Sequence, residues 1–369
     1  MRAEEIASHL RDSGGPVRIV GAGTKADWGN PTNSAPPLST RELDSIVEHN
    51  AGDLTAVVEA GVTLTTLREA FGAKGQMLAL DPPRDGATIG GVVATGDSGP
   101  LRHRYGGPRD LVLGVTVALS DGTVARAGGK VIKNVAGYDL SKLMTGAYGT
   151  LGVITQMAVR LHPLPRETVT VFGEADDPGA LARIALAASH AQYEPIALDY
   201  DWRGSQGWVY LRFGGTAAEA QAQEAATVLA DAGAQTNLVT DDAELWRRQA
   251  ERQRSAEATV VRVSHTQTQL AQLLGFASVE GASAVGRVAL GVSWVSLPGD
   301  PDDVATTVRD LRRTLAPAAC VVLDAPQAVR ERVDPWGVDD GPELALMRRT
   351  KQRFDPRGVC NPGLYVGGI

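Results

Sequence analysis

The sequence predicts an α+β fold in two differently built halves, and three observations carry that reading. Of the 42 glycines, many cluster between Gly86 and Gly152, among short apolar runs with strand character. Beyond residue 165 that rhythm gives way to strand and helix patterns in the order βαββαβ, and the order recurs once. The chain then closes on a helix pattern and the turn-rich FDPRGVCNPG. A length of 369 residues suits two or three domains. We draw them as 1–165, 166–340 and a segment, 341–369, that returns to the first.

In the first half, residues 16–20 (PVRIV) read as a short buried strand running into the loop GAGTKADWG and the Pro/Asn/Ser-rich NPTNSAPP. Residues 40–49 read as a helix capped at Ser39 or Thr40, 54–60 as a strand, and 64–73 as a helix ending near Gly75. Residues 77–80 read as a strand that enters DPPRDGATIGG. Residues 110–119 form a strand, which Asp121-Gly122, a hairpin signal, joins to Val124 and Ala125. Another strand spans 149–161, and HPLP (162–165) ends the half because proline terminates strands.

The second half reads as strand 168–172, helix 179–190, strands 196–201 and 208–213, helix 217–232 and strand 235–239. This is the split order of a ferredoxin-like unit. After a helix at 242–254 the order repeats: strand 258–263, helix 265–275, strands 283–286 and 288–296, helix 302–315, strand 319–324. Side by side, two such units make one antiparallel sheet with helices on one face. A helix at 342–354 precedes the closing turns.

Composition removes several classes of function. A net charge of −7 argues against nucleic acid or an anionic lipid surface as the main partner. The two cysteines, Cys320 and Cys360, can neither ligate an iron–sulfur cluster alone nor form a CxxC zinc pair; as free thiols they suit a reducing cytoplasm. The amino terminus, MRAEEIASHL, has no signal-peptide core, and the longest apolar run, 111–119, is too short to span a bilayer. The expectation is a cytoplasmic protein without direct membrane insertion, any membrane association coming through partners.

Three segments bear chemistry. Val20-Gly21-Ala22-Gly23-Thr24-Lys25 is a tight glycine turn after a strand, which exposes successive N–H groups suited to phosphate. Gly21, Gly23 and Ala26 meet the relaxed GxGxxG/A dinucleotide fingerprint, but a Rossmann loop opens a helix at once, and Asp27-Trp28-Gly29-Asn30-Pro31 does not. The second segment runs from Asp81 to Gly99, where small residues between glycines leave backbone amides for a pyrophosphate and ribose, and Thr88, Thr95 and Ser98 add hydroxyls. The interleaved Ile89 and Val92-Val93-Ala94 distinguish it from a flexible linker. The third runs from Gly128 to Ile154, its glycines at 146, 149 and 152 bringing backbone close to a ligand.

The succession GAGTK, PPRDGATIGGVVATGDSG, RYGGPRDLVLGVTVALSDGTV and KNVAGYDLSKLMTGAYGTLGVIT resembles the vanillyl-alcohol-oxidase/p-cresol-methylhydroxylase (PCMH) type of FAD-binding domain. With FDPRGVCNPG it is most similar to the FAD-binding subunits of bacterial glycolate oxidases. The resemblance covers about residues 15–165 and the last thirty. It implies a two-lobed FAD domain with a cap of two ferredoxin-like units. It implies that Gly21, Ala22, Gly23, Thr24 and Lys25 hold the FAD pyrophosphate. Pro82, Thr88, Ile89, Gly90, Gly91, Ala94, Thr95, Gly96, Ser98 and Gly99 wrap pyrophosphate, ribityl chain and ring edge, and Gly149, Gly152, Val153 and Ile154 line the adenine side.

Two departures separate binding from catalysis. Hydroxy-acid-oxidising relatives carry Ser-Glu before Gly-Thr-Leu-Gly, and this chain has Ala147-Tyr148. They also carry a metal-holding histidine pair in the cap, whereas His265 is the one histidine after His190. No metal site or catalytic residue is therefore assigned. His103, between Arg102 and Arg104, reads as part of a basic surface loop rather than a flavin tether, so a non-covalent cofactor is expected. Lys133, Asn134 and Tyr138 are expected near the ring, Tyr138 more as a structural hydroxyl than as a proton acceptor. Trp202, Trp208, Trp246, Trp294 and Trp336 read as core or interface, and the basic helix with Arg247, Arg248, Arg252 and Arg254 as a solvated face.

The implied function is that of an FAD-dependent oxidoreductase acting on CH–OH groups: a subunit of a glycolate (2-hydroxy acid) oxidase or dehydrogenase complex, with a second flavoprotein subunit and an iron–sulfur subunit as partners. The alternatives are a self-contained FAD-linked oxidase of another small alcohol or hydroxy acid, and a flavin-fold subunit that only assembles partners.

Overall fold

The computed structural model describes residues 2–31, 35–84, 86–130 and 139–369. They form two compact units. The first comprises the chain up to Gly99, Tyr105–Leu164 and Val338–Ile369, and the second Pro100–Arg104 and Pro165–Gly337. Among the described residues no helix is long and apolar enough to cross a membrane.

The first unit is built on a five-stranded sheet in the order Ile46–Asn50, Thr55–Glu59, Val153–Arg160, Val112–Ala118, Val124–Gly128, every neighbouring pair antiparallel. A second, small sheet pairs Arg18–Val20 with Pro37–Ser39 in parallel. The helix Ala3–Asp12, absent from the sequence expectation, buries Ile6, Ala7 and Leu10 against Val17, Leu38, Ala118, Val153 and Val359. Its signal was an i, i+1, i+4 apolar spacing with acids in the first turn.

One expected helix is a strand. Residues 40–49 have helical apolar spacing at Leu43, Ile46 and Val47, yet Ile46–Asn50 pairs with Thr55–Glu59 across a turn in which Leu54 takes a φ of +53°. The β-branched pair Ile46-Val47 and a ready partner strand outweigh the spacing. Residues 77–80 yield only the two-residue strand Gln76–Met77, which pairs with His162–Pro163.

The second unit carries the expected duplication as one sheet. Its eight strands run Gln235–Val239, Thr168–Ala175, Gln206–Gly214, Ala197–Arg203, Ser283–Arg287, Val292–Leu297, Thr259–Ser264, Ala319–Asp324, all antiparallel. Two βαββαβ units thus meet at Ala197–Arg203 and Ser283–Arg287. The helices Pro178–His190, Ala218–Asp231, Leu270–Val279 and Pro301–Leu315 share one aliphatic core with the sheet, through residues such as Leu181, Leu229, Leu273 and Val308.

Strand alternation sends Leu198, Tyr200 and Trp202 into that core and Asp199 and Asp201 to the opposite face. There the helix Ala243–Glu251 packs Trp246 on Ala197 and Tyr210. Its basic character is neutralised locally. Arg247 and Arg248 pair with Glu244, Arg252 with Asp201, and Arg254 with the buried Asp324. Trp202, Trp246, Trp294 and Trp336 are buried, in keeping with their reading as core.

Asp199 lies cross-strand from Arg287 and is 1% exposed. Burial pushes its carboxyl up to about 7, with the Arg287 charge and a Gln249 hydrogen bond pulling the other way. The folded protein therefore keeps a proton that the unfolded chain releases between its ordinary value near 4 and about 7. Stability from this group is lost as pH rises through that window. Asp199→Asn mimics the protonated form. It should match the parent at pH 4 and exceed it at pH 8 by on the order of 2–4 kcal/mol. Urea midpoints across that range check it, and a constant gap between the two proteins would refute it.

Candidate functional site

A cavity of about 890 Å3 opens in the first unit, near the upper end of the range for ligand pockets. Four segments supply most of its lining: Ser13–Ala26, the Gly90, Gly91, Ala94 and Thr95 face of the helix Ile89–Thr95, residues 147–154 without 150 and 151, and Asn361–Leu364.

The first segment supplies donors. The strand Arg18–Val20 ends where Thr40 donates its N–H to the Val20 carbonyl, and the chain turns away into Gly21-Ala22-Gly23. Among the described residues the N–H groups of Gly21, Ala22 and Gly23 have no acceptor in the protein. Successive free amides on a cavity wall form an anion-binding nest. A Cβ at Gly21 would lie 2.2 Å from Thr88 Oγ1, so the turn sits directly on the start of the helix. Gly23 has a φ of +75° and open space where a Cβ would point, which leaves room for a ligand.

The stretch 81–99 was expected to leave its amides uncovered, and the structure corrects this. Ile89–Thr95 is a helix with Thr88 as its N-cap. Its first amides are taken: Ile89 donates to Val62 O, Gly90 to Ala60 O, and Gly91 to Thr88 Oγ1 at 3.4 Å. Burial of Ile89, Val92 and Val93 drives the helix despite two glycines. Gly90, Gly91, Ala94 and Thr95 still line the cavity, as small surfaces rather than as donors.

Of the expected site residues, Gly21, Ala22, Gly23, Thr24, Lys25, Thr88, Gly90, Gly91, Ala94, Thr95, Gly149, Gly152, Val153 and Ile154 share this one cavity. Pro82, Ile89, Gly96, Ser98 and Gly99 are absent from its lining. Ile89 points into the core, Gly96 ends the helix in the left-handed region, and Ser98 is buried with its N–H on Asp97 Oδ1. Lys133, Asn134 and Tyr138 lie outside the described residues. Arg102, His103 and Arg104 group with the second unit, where Arg104 pairs with Glu194 at 2.6 Å. Burial, then the Arg104 charge, hold His103 below its usual value. Among the described residues no group of three or more His, Cys, Asp or Glu is placed to hold a metal ion.

Lys25 ties two of the segments together. Its Nζ lies 3.2 Å from Asp97 Oδ2, just beyond the helix, with both side chains 5% exposed. The ammonium also stands 5.9 Å from the centre of the Trp28 ring.

The closing segment contributes what sequence reasoning missed. Asn361 accepts the Ile19 N–H on Oδ1 at 2.7 Å, donates from Nδ2 to Tyr148 O at 2.7 Å, and donates its own N–H to Val17 O. One carboxamide thus joins the first strand, the 146–152 turn and the carboxy-terminal segment. Behind it, at the end of the helix Pro342–Phe354, Lys351 donates to Thr150 O, Cys360 O and Asp355 Oδ2. Asp355 in turn accepts the N–H groups of Val359 and Cys360. Burial alone would raise the Asp355 carboxyl, but Lys351 and the two amides outweigh it and hold it below the ordinary range. The turn-rich FDPRGVCNPG showed that this segment matters, but nothing in its pattern singled out Asn361.

Comparison with known proteins agrees with this geometry. Residues 3–128 match the family model described as an FAD binding domain, and residues 338–365 that of the FAD linked oxidases, C-terminal domain. The chain is 40% identical over 172 residues to the glycolate oxidase subunit GlcE of Escherichia coli (strain K12), covering 46% of this chain and 49% of that protein. It is 34% identical over 187 residues to the glycolate oxidase subunit GlcD of Bacillus subtilis (strain 168), covering 50% and 40%. The chain thus spans about half the length or less of these relatives. A solved structure of alkyldihydroxyacetonephosphate synthase superposes with a TM-score of 0.73 at 15% identity, over 98% of this chain and 74% of that one, which shows a shared fold.

Two outcomes are expected. Lys25→Met leaves Asp97 buried without its cation and should cost about 3–5 kcal/mol in chemical denaturation. Adding Asp97→Asn should recover most of that loss; equal losses in single and double variants would show that the pair contributes nothing. Asp355 has a lowered folded value, so its contribution is complete above the unfolded carboxylate value near 4 and lost as pH falls through the folded one. The melting temperature of Asp355→Asn should therefore lie below the parent's by a constant margin from pH 5 to 8, and the margin should close in stronger acid.

Proposed function

We propose that the chain is an FAD-linked oxidoreductase sharing this FAD-binding domain, and within that class the FAD-binding subunit of a glycolate (2-hydroxy acid) oxidase or dehydrogenase complex. In this reading the first unit holds FAD non-covalently and the second serves as a cap. A second flavoprotein subunit and an iron–sulfur subunit complete the assembly, through which any attachment to a membrane is made.

The observation that carries the FAD assignment is the row of three free amides, Gly21 to Gly23, on the wall of a cavity large enough for a dinucleotide. A pyrophosphate satisfies those donors, and Lys25, on the same turn, adds positive charge. Val153 and Ile154 offer apolar contact for a ring, and Thr95 lines the same wall. When bound, FAD supplies the two-electron acceptor, taking a hydride at N5 from a 2-hydroxy acid or electrons from a neighbouring flavin. The residues around it bind and orient. The similarity to a protein named as a glycolate oxidase subunit supports the substrate class and the place in a complex.

Purification of the native protein with its associated chains tests this. The expected result is the visible spectrum of an oxidised flavin that acid precipitation releases, together with a second flavoprotein and an iron–sulfur protein in the same preparation. The isolated chain should not oxidise glycolate or lactate with an artificial acceptor. Turnover by the isolated chain would replace this reading with a self-contained oxidase, and a chain that takes up no FAD on reconstitution would leave only an assembly role.

A further inference from the structure

We propose that the helix Pro342–Phe354 is a dimerisation surface, and that it packs antiparallel on the same helix of a second copy of this chain about a two-fold axis. The proposal is independent of what the cavity binds.

The helix is thinly covered for its length. Of its 13 residues only Leu344 is buried. The rest of its inner row is polar and engaged: Arg348 pairs with Asp340 at 2.9 Å, and Lys351 donates to Thr150 O, Cys360 O and Asp355 Oδ2. Away from that row, Glu343, Leu346, Met347, Thr350 and Arg353 follow one another at helical spacing and share a face. Leu346 is 56% exposed and Met347 41%. Helices in folded proteins are stabilised mainly by burying their apolar stripe. This helix turns two large apolar side chains to solvent and holds itself in place with polar bonds instead.

The charge order along that face selects the occupant. It is acidic at the amino-terminal end, apolar in the middle and basic at the carboxy-terminal end. Glu343 and Arg353 are both exposed, and among the described residues neither has an ion pair or hydrogen bond within the chain. At about 1.5 Å per residue they stand about 15 Å apart along the axis. Positions 343 and 353 share a midpoint at 348, and so do 346 and 350. A two-fold axis at that level sets Glu343 of each copy against Arg353 of the other, and Leu346 against Thr350, with both Met347 side chains near the axis. A parallel pairing would instead set acid on acid and base on base. An acid in the first turn and a base in the last suit the dipole of any helix, but that does not account for the exposed apolar pair between them. Paired helices of this length make a small interface, so association is expected at micromolar concentrations.

Sedimentation velocity of the full chain across the micromolar range tests this. The parent should dimerise reversibly, and Leu346→Asp combined with Met347→Asp should be monomeric throughout. Glu343→Arg alone and Arg353→Glu alone each place two like-charge pairs across the axis and should weaken association at least about tenfold. An equimolar mixture of these two single variants re-forms two opposite-charge pairs in the mixed dimer, so it should associate as the parent does. The variant carrying both reversals in one chain should do the same. Misfolding of either single variant cannot produce that recovery, and parent-like urea midpoints exclude it directly. A parent that stays monomeric, a dimer that the single reversals leave unchanged, or a mixture that fails to recover would each overturn the proposal. Flavin content does not enter the readout, so a chain that binds no FAD would bring down the functional reading and leave this result standing.

Discussion

The carboxamide of Asn361 is the contact on which the cavity depends. Its two hydrogen bonds, with a third from the Asn361 backbone N–H, hold the first strand and its leading residue through Ile19 and Val17 and the 146–152 turn through Tyr148, from a residue that lies more than two hundred positions away from either. Each bond is individually modest, about 1 kcal/mol net. Their joint effect is geometric: they fix the distance between the nest at Gly21–Gly23 and the wall at Gly149–Ile154. Lys351 and Asp355 stabilise the segment that carries the clamp by consuming its carbonyls and amides, so that few polar groups there remain to compete for it. The site is therefore held by backbone bonds at its margins, while its interior is left small and sparsely functionalised.

Much of this was legible in the sequence, and for identifiable reasons. The duplicated βαββαβ unit was readable nearly strand by strand because each element has its own periodicity and is bounded by turn residues. The turn at Gly21–Gly23 was readable because a glycine pair directly after a strand leaves successive N–H groups uncovered. Failures arose where local pattern and tertiary context disagree. Leu43, Ile46 and Val47 fit a helix stripe, but a partner strand claimed them. Gly90 and Gly91 suggested an open loop, but burial of Ile89, Val92 and Val93 paid for a helix through them. Asn361 carries no local signal, because its role consists of contacts with residues remote in sequence.

The two units treat buried charge in different ways. Beside the cavity, Lys25, which lines it, is paired with the buried Asp97 in an isolated ion pair. In the second unit, charges on the open face of the sheet are committed to one another: Asp201 to Arg203 and Arg252, Asp242 to Arg212, Asp324 to Arg254. Arg212 and Asp242 also engage Thr168, and Trp246 caps the set through Thr170. Such closed networks fix how the helix Ala243–Glu251 lies on its sheet. They also explain why a helix that reads as basic from its sequence offers little uncompensated charge.

The first unit is discontinuous: residues 338–369 complete it, and Pro165–Gly337, nearly all of the second unit, intervene in the chain. On a ribosome the glycine nest emerges early, yet the residue that sets the width of its cavity emerges only after the eight-stranded sheet has been made. The two walls of the cavity are thus written far apart in the chain, and a cut anywhere in the intervening sheet would part the nest from its clamp while leaving each local segment intact.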